Sequence, residues 1–458
     1  MVHYSRSALG RFAKGDSNLF RYVKMPFPAA VLCGACFLAA PAQAQSSVSP
    51  YAMAQVPKQN PVSEQAESGA LPEGMGVMDR TRPEYNAAGI PVGSFRLYPT
   101  LAAGFSADDN IFRATDATSD TFWTLSPRLD LRSGWLNDSL QLYAQLDHYA
   151  YNDNDKESHT NWIVGGAGKV GLAEGSYLSG DAYYYDTHES RISPDLSEAA
   201  LSPTRYRRAH ADATGLVTFN RLALSTTFDY DRYDFDDTKL FGGGFIDNGD
   251  RNRDVYQVTG KASYELAPNQ AIFAQVTYDK RNFDRMLDRN GEDRTSDGYR
   301  VDAGAAMMVT PLVQATAYVG YLQQNYAAPL KDASGFDFNA QVDWFATQLL
   351  TLHLTASRTI EDTTIAGASS VDVRAVGASA DYELLRNFIL QPHVEYSDNK
   401  FDGISRDDKI TSAGLEARYL MNEYLSAYAG YEYQHRASDA VGRKFSDNLF
   451  TIGVRGQY

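Results

Sequence analysis

The chain has 458 residues and a formal charge of −15, from 57 acidic and 42 basic side chains. That balance argues against nucleic acid or an anionic surface as partner, because both require basic patches. The two cysteines, Cys33 and Cys36, sit in an apolar run near the N-terminus, so the remainder can hold no disulfide, thiolate nucleophile or zinc–thiolate site.

Residues 1–44 read as an export signal. Arg6, Arg11, Lys14, Arg21 and Lys24 make a basic stretch, Ala29 to Ala40 a short apolar core, and Ala42-Gln43-Ala44 a small-x-small cleavage site. The core is shorter than the roughly 20 residues a helix needs to span a bilayer. A start at Met25 would leave almost no positive charge ahead of the core. Gly34-Ala35-Cys36 hints at lipidation, but Cys33 stands where such sites carry Leu and a conventional cleavage site follows. Residues 45–93 are rich in Pro, Gln, Ser, Ala and Gly without an apolar period, and read as a disordered periplasmic arm.

Residues 94–458 predict an all-β fold, a transmembrane antiparallel β-barrel. The alternating segments have the length of tilted membrane strands. Eighteen are read, starting near Phe95, Thr121, Ser139, Asn161, Tyr177, Tyr206, Arg221, Asp254, Ala271, Gly298, Leu312, Phe336, Leu349, Val371, Asn387, Lys409, Tyr424 and Asn448. The first two, and the Gly165–Gly171 stretch, alternate least clearly, which leaves sixteen open. Connections alternate between short turns, as at Asn220 and Thr310-Pro311, and long polar loops, as at Arg191–Thr204 and Asp236–Arg251. Barrels with both ends in the periplasm show this alternation and an even strand number.

In the seventh strand Leu222, Leu224, Thr226, Phe228 and Tyr230 oppose Ala223, Ser225, Thr227, Asp229 and Asp231; in the eleventh, Val313, Ala315, Ala317, Val319 and Tyr321 oppose Gln314, Thr316, Tyr318 and Gly320. The first set of each is expected to meet lipid, as are Leu142, Val276, Leu352 and Ile452. The last strand places Phe450, Ile452, Val454, Gly456 and Tyr458 on one face. A terminal aromatic on such a strand resembles the signal read by the barrel-assembly machinery. Phe112, Trp123, Tyr151, Trp162, Tyr184, Tyr233, Tyr299 and Phe401 are expected in an external aromatic belt, and Phe95, Phe219, Tyr419, Tyr424 and Tyr458 in a periplasmic one.

Charges on the opposite faces nominate the pore lining: Arg96, Arg128, Asp130, Arg132, Lys169, Arg208, Asp212, Lys261, Asp302, Asp343, Arg374, Glu395, Arg418 and Arg455. On the lipid side such charges would be costly. No histidine has metal-ligand spacing; His353 and His393 read as solvated wall residues, and Gly242-Gly243-Gly244 as loop flexibility. His148, His188, Asp186, Asp229 and Asp231 could meet at the external rim, without a catalytic motif to support it. No enzyme, cofactor or metal site is expected. The acidic loops at Asp108-Asp109, Asp153–Asp155, Asp236-Asp237, Asp247–Asp250 and Asp407-Asp408 read as solvated charge before cation bridges to lipopolysaccharide.

Arg82-Pro83-Glu84-Tyr85, Gly89-Ile90-Pro91-Val92-Gly93-Ser94-Phe95 and Asp108-Asp109-Asn110-Ile111-Phe112 resemble the opening of the putative beta-barrel porin family. The resemblance is specific at this entry segment and general beyond it. It implies a passive pore in the outer membrane of a Gram-negative bacterium. Because members are often encoded beside polysaccharide export machinery, it further implies polysaccharide secretion and a periplasmic export partner. A general diffusion porin for small hydrophilic solutes, or a plugged structural or adhesive barrel, suits the residues as well.

Overall fold

The computed structural model describes residues 75–173 and 175–458. The expected signal and most of the expected arm lie outside these residues. Eighteen long antiparallel strands follow in chain order: β1 Phe95–Asp108, β2 Asp120–Ser133, β3 Ser139–Tyr151, β4 His159–Ala173, β5 Ser176–His188, β6 Arg205–Phe219, β7 Leu222–Phe235, β8 Arg253–Ala267, β9 Gln270–Phe283, β10 Ser296–Thr310, β11 Val313–Tyr326, β12 Ala333–Thr347, β13 Leu350–Asp362, β14 Ser370–Leu385, β15 Phe388–Asp402, β16 Asp407–Leu420, β17 Leu425–Ser438 and β18 Phe445–Gln457. Each pairs with its chain neighbours, and β1 pairs with β18 from Thr100↔Gln457 to Asp108↔Leu449. The sheet therefore closes and has no free edge, as lipid demands of strands whose backbone cannot turn to water. The count is eighteen, and every strand begins within a few residues of its expected start.

Side-chain alternation sorts the two faces as expected. Leu142, Leu224, Val276 and Ile452 are 43–61% exposed on the outer face, with Ala317 and Leu352 on the same side by register. Trp123, Tyr184 and Tyr299 form part of an external outer belt, and Phe219, Tyr419, Tyr424 and Tyr458 of a periplasmic one. The external belt is smaller than expected, for Tyr233 and Phe401 are buried on the inner face and Tyr151 shares that face. Phe112 lies in the loop after β1, against Phe241 and under Arg191. Rings this far along a strand have passed the hydrocarbon, and there the inward side can be covered by loops.

At the periplasmic end the turns are tight. Asn220 and Asn269 hold φ of 55° and 61°, the left-handed region that Asn tolerates better than other residues with a side chain. At the other end most connections are longer, and the loop 189–204 folds inward across the mouth.

Two expectations are corrected. The last part of the expected disordered arm, residues 75–93, is ordered in the structure. Ile90–Val92 pairs with Phe95–Leu97 of β1, and Gly89, at φ +69°, lies where a Cβ would sit 2.7 Å from Arg96 Cγ. Ahead of that hairpin, Val77 is fully buried and donates its N–H to Thr351 Oγ1 at 2.9 Å. The arm's composition could not show this, because the inner wall that receives it is itself polar.

The other correction is Arg374. Along β14 the inward residues are Val371, Val373, Gly377 and Asp381, so Arg374 falls on the outer side with the exposed Val376. Here Val371 and Val373 pack with Ala368 and Phe401 in a small apolar cluster beneath the loop 363–369. The β12–β13 ladder stops at Asn339↔Ser357 while β13–β14 continues to Asp362↔Ser370. Arg358 spans the gap to Phe336 O at 2.7 Å and pairs with Asp372, which also holds Arg374 at 2.7 Å. Inward charge is enforced by hydrocarbon, and this end of the hairpin lies beyond it.

Candidate functional site: the channel interior

The inner wall is polar along most of its length. Among the expected lining residues, Arg128 binds Asp130 at 2.6 Å and Gln145 at 2.8 Å, and Arg208 binds Asp231 at 2.5 Å. Asp212 accepts the Asp181 N–H at 3.1 Å, Asp302 accepts from Gln275 at 3.1 Å, and Arg418 donates to Glu416 at 2.9 Å. Lys169, Lys261 and Arg132 sit over the rings of Tyr177, Phe273 and Tyr98 at 4.2, 3.8 and 4.8 Å. Arg96 donates to Ala88 O at 2.5 Å. Glu395 and Arg455 share the inner face by register, Glu395 opposite Gly377 and Ser412 and Arg455 opposite Ala102 and Ser426. Thirteen of the fourteen thus share one face, and Arg374 does not.

The expected solvated histidines are held by carboxylates. His353 bridges Asp343 at 2.6 Å and Asp381 at 3.1 Å, and His393 meets Glu432 at 2.9 Å. The rim constellation does not assemble. His148 and His188 bond to Thr160 and Asn161, and Asp186 takes Arg205 on the outer side, whereas Asp229 and Asp231 face inward. Gly242, Gly243 and Gly244 all have positive φ at a loop tip.

The external mouth is where the loops converge, and sequence reasoning missed it. The loop 189–204, between β5 and β6, crosses to strands on the other side of the ring. Glu189 is held by Arg251 at 2.9 Å, Arg436 donates to Ile192 O at 2.9 Å, and Arg443 donates to Leu196 O at 3.1 Å. Opposite, Asp195 accepts Thr363 Oγ1 at 2.8 Å and Thr364 N at 2.9 Å. Ile192, Leu196 and Ala200 are buried by this folding. Between the loop and the wall a cavity of about 60 Å³ remains, lined by Glu189, Asp195, Tyr206, Arg251 and Asp362 among others.

The loop 363–369 is gripped from its other side by the loop 284–295. Arg294 donates to Ala368 O and to Ile365 O, and Glu292 accepts Gly367 N at 3.0 Å. Arg294 is oriented by Asp288 at 2.9 Å. Burial alone would raise the Asp288 carboxyl, but the N–H groups of Glu292 and Asn290 and the Arg294 guanidinium outweigh it, and the group lies below its usual range. Arg281 and Arg253 reach the end of β13 at Asp362, 2.5 and 2.8 Å away.

Much of the loop acid expected to be solvated is spent on such pairs. Asp108 and Asp447 share Arg113, Asp236 pairs with Arg207, Asp247 with Arg285, Asp250 with Arg289, and Asp408 with Arg406. At the periplasmic mouth, Arg82 donates to Glu383 at 2.8 Å and to Val77 O at 2.8 Å, with Arg80 at 3.5 Å from the same carboxylate. The signal for this contact was present in sequence: Asp79-Arg80-Thr81-Arg82 is a charged island in an otherwise weakly charged arm.

The closed barrel and its apolar outer belt are those of a protein of the Gram-negative outer membrane. The structure is similar to OccAB3 of Acinetobacter baumannii (11% identity, TM-score 0.43, covering 80% of this chain and 100% of that one). It is similar to OccK2 (OpdF) of Pseudomonas aeruginosa (10%, 0.44, 80% and 98%). The siderophore receptor PirA of Pseudomonas aeruginosa is also similar (8%, 0.41, 82% and 81%). No curated protein matches the chain. Residues 82–458 match the family described as Putative beta-barrel porin 2, and the chain belongs to that family.

Proposed function

We propose that the protein is a passive outer-membrane channel for small hydrophilic solutes. Barrels of sixteen to eighteen strands are wide enough to leave an aqueous channel, and the polar inner wall suits hydrated cargo. The observation that carries the small-solute reading is the loop 189–204, folded across the external mouth and fixed there through Glu189, Asp195 and the Ile192 and Leu196 carbonyls. A mouth narrowed in this way favours molecules of sugar or amino-acid size. Secretion of a polysaccharide would require this loop to be displaced from several anchors at once.

Reconstitution into planar bilayers and liposomes tests the reading. Steady conductance steps, with liposome swelling that falls as neutral sugars grow from mono- to tetrasaccharide, are expected. Absence of conductance both before and after deletion of residues 190–203 would instead favour a plugged structural barrel. Loss of surface polysaccharide in a deletion strain with unchanged small-solute permeability would favour export.

A further inference from the structure

Barrel closure brings together arginines from the two ends of the chain. Arg418 on β16, Arg455 on β18, Arg96 on β1, and Arg128 and Arg132 on β2 all project from the inner face of one wall. The register sets their order. Arg455 lies opposite Ala102, Arg128 opposite Thr100, and Arg132 opposite Arg96, so the charges step down β1 and its neighbours toward the periplasmic mouth. Arg418 joins from the other side, opposite Tyr428. Arg455 and Arg128 stand two strand spacings apart, about 10 Å, and Arg128 and Arg132 four residues along one strand, about 13 Å, so a small molecule would pass from one guanidinium to the next.

The compensation of this wall is incomplete. Asp130 neutralises Arg128 and Glu416 neutralises Arg418. Arg132 rests on the Tyr98 ring, and Arg96 meets only the Ala88 and Gly89 carbonyls. Among the described residues, Arg455 closes no hydrogen bond or salt bridge with the wall, although Glu416 and Tyr428 act on it through space, and it is partly exposed to the lumen. The rest of the ring is different. From β7 to β14, Asp229, Asp302, Asp337, Asp343 and Asp381 face inward and outnumber the inward cations Lys261, Arg300 and His353, the last bridging Asp343 and Asp381, and the chain as a whole is acidic. An arginine-rich strip thus faces a carboxylate-rich wall across the lumen.

We propose that this strip is a track for small solutes bearing an oxyanion, a carboxylate or a phosphate, handed from Arg455 and Arg128 to Arg132 and Arg96. This rests on the diffusion-channel reading and names its solute class. The guanidinium fork matches such oxyanions with two parallel hydrogen bonds. Arg96, Arg132 and Arg455 close no salt bridge, although Asp130 and Glu416 act on Arg132 and Arg455 through space, so they can offer that fork without first breaking a pair. The acidic wall opposite repels the same solute toward the track and leaves neutral solutes unsorted.

Liposome swelling with glucose, gluconate and glucose 6-phosphate at matched osmolarity tests it. The charged sugars should enter faster than glucose by up to about tenfold, the low end of what charge focusing in a cleft achieves. The double variant Arg132→Gln, Arg455→Gln should lose most of that advantage and keep the glucose rate. Arg455→Gln alone should lose part of it, which keeps the test decisive if the double variant fails to fold. Faster entry of either oxyanion supports the track, and the more favoured one names the group. Glucose entry with no advantage for gluconate or glucose 6-phosphate overturns the track and leaves the channel standing. No entry of any solute overturns the channel reading itself.

Discussion

Arg82 donates to Glu383 at 2.8 Å inside the periplasmic mouth, joining residues 301 positions apart. The pair fixes the segment that leads into the barrel against the inner wall of β14.

Removing that carboxylate should free the segment without dissolving the barrel. Glu383→Ala leaves Arg82 and Arg80 buried without their partner, a loss of about 3–5 kcal/mol for a broken buried pair. That cost falls on residues 75–93, because β14 keeps its ladders to β13 and β15. Trypsin should then cut after Arg80 in the folded protein, and single-channel conductance should rise. Unchanged protease resistance would show that the hairpin at Ile90–Val92 holds the segment alone.

Asp195 plays the corresponding part at the external mouth. Asp195→Ala strands the Thr363 hydroxyl and the Thr364 N–H, at about 1–3 kcal/mol for lost buried hydrogen bonds. The expected outcome is larger, noisier conductance with the heat-modifiable barrel band on gels unchanged.

The grip on the loop 363–369 should be acid-sensitive. The Asp288 carboxyl is depressed in the folded loop, so its stabilising effect is complete above the unfolded value of about 3.8 and is lost as pH falls through the lower folded value. Conductance should therefore stay level from neutrality to about pH 4 and rise below it. Asp288→Asn should show the raised conductance at every pH.

The assignment of faces can be checked by labelling. Cys33 and Cys36 lie ahead of the expected cleavage site, so a cysteine introduced in the barrel can be read alone. Arg208→Cys and Arg418→Cys should react with a small charged thiol reagent through the channel. Arg374→Cys should react on intact cells with a reagent too large to enter. Leu224→Arg should impair assembly, because a charge on the lipid face costs about 2–4 kcal/mol at the bilayer midplane.

The barrel was legible in sequence because lipid imposes a period of two wherever it touches the strands. Leu224 and Ile452 on one side, and Asp229 and Arg455 on the other, could be sorted from that period alone. Arg374 was misplaced because the rule was carried past the hydrocarbon, to a height where Val371 and Val373 are covered by a loop instead. The mouth was illegible for a different reason. Asp195 and Thr363 stand 168 positions apart in segments with no period, and only closure of the ring brings them face to face. Residues 75–93 looked like solvated chain because what receives them, Thr351 and Glu383, is polar and leaves no apolar period in the segment.

The seam between β1 and β18 also sets the timetable of assembly. Its nine paired positions, from Thr100↔Gln457 to Asp108↔Leu449, join strands separated by nearly the whole chain, the slowest kind of contact to form. The first strand must therefore wait, one edge bare, until the last arrives, and Arg455 comes to rest beside the arginines of the opening strands only in that final step. The selectivity proposed for this wall would thus be acquired late, at the same moment as closure, and a chain cut short before β18 would lack both the seam and Arg455.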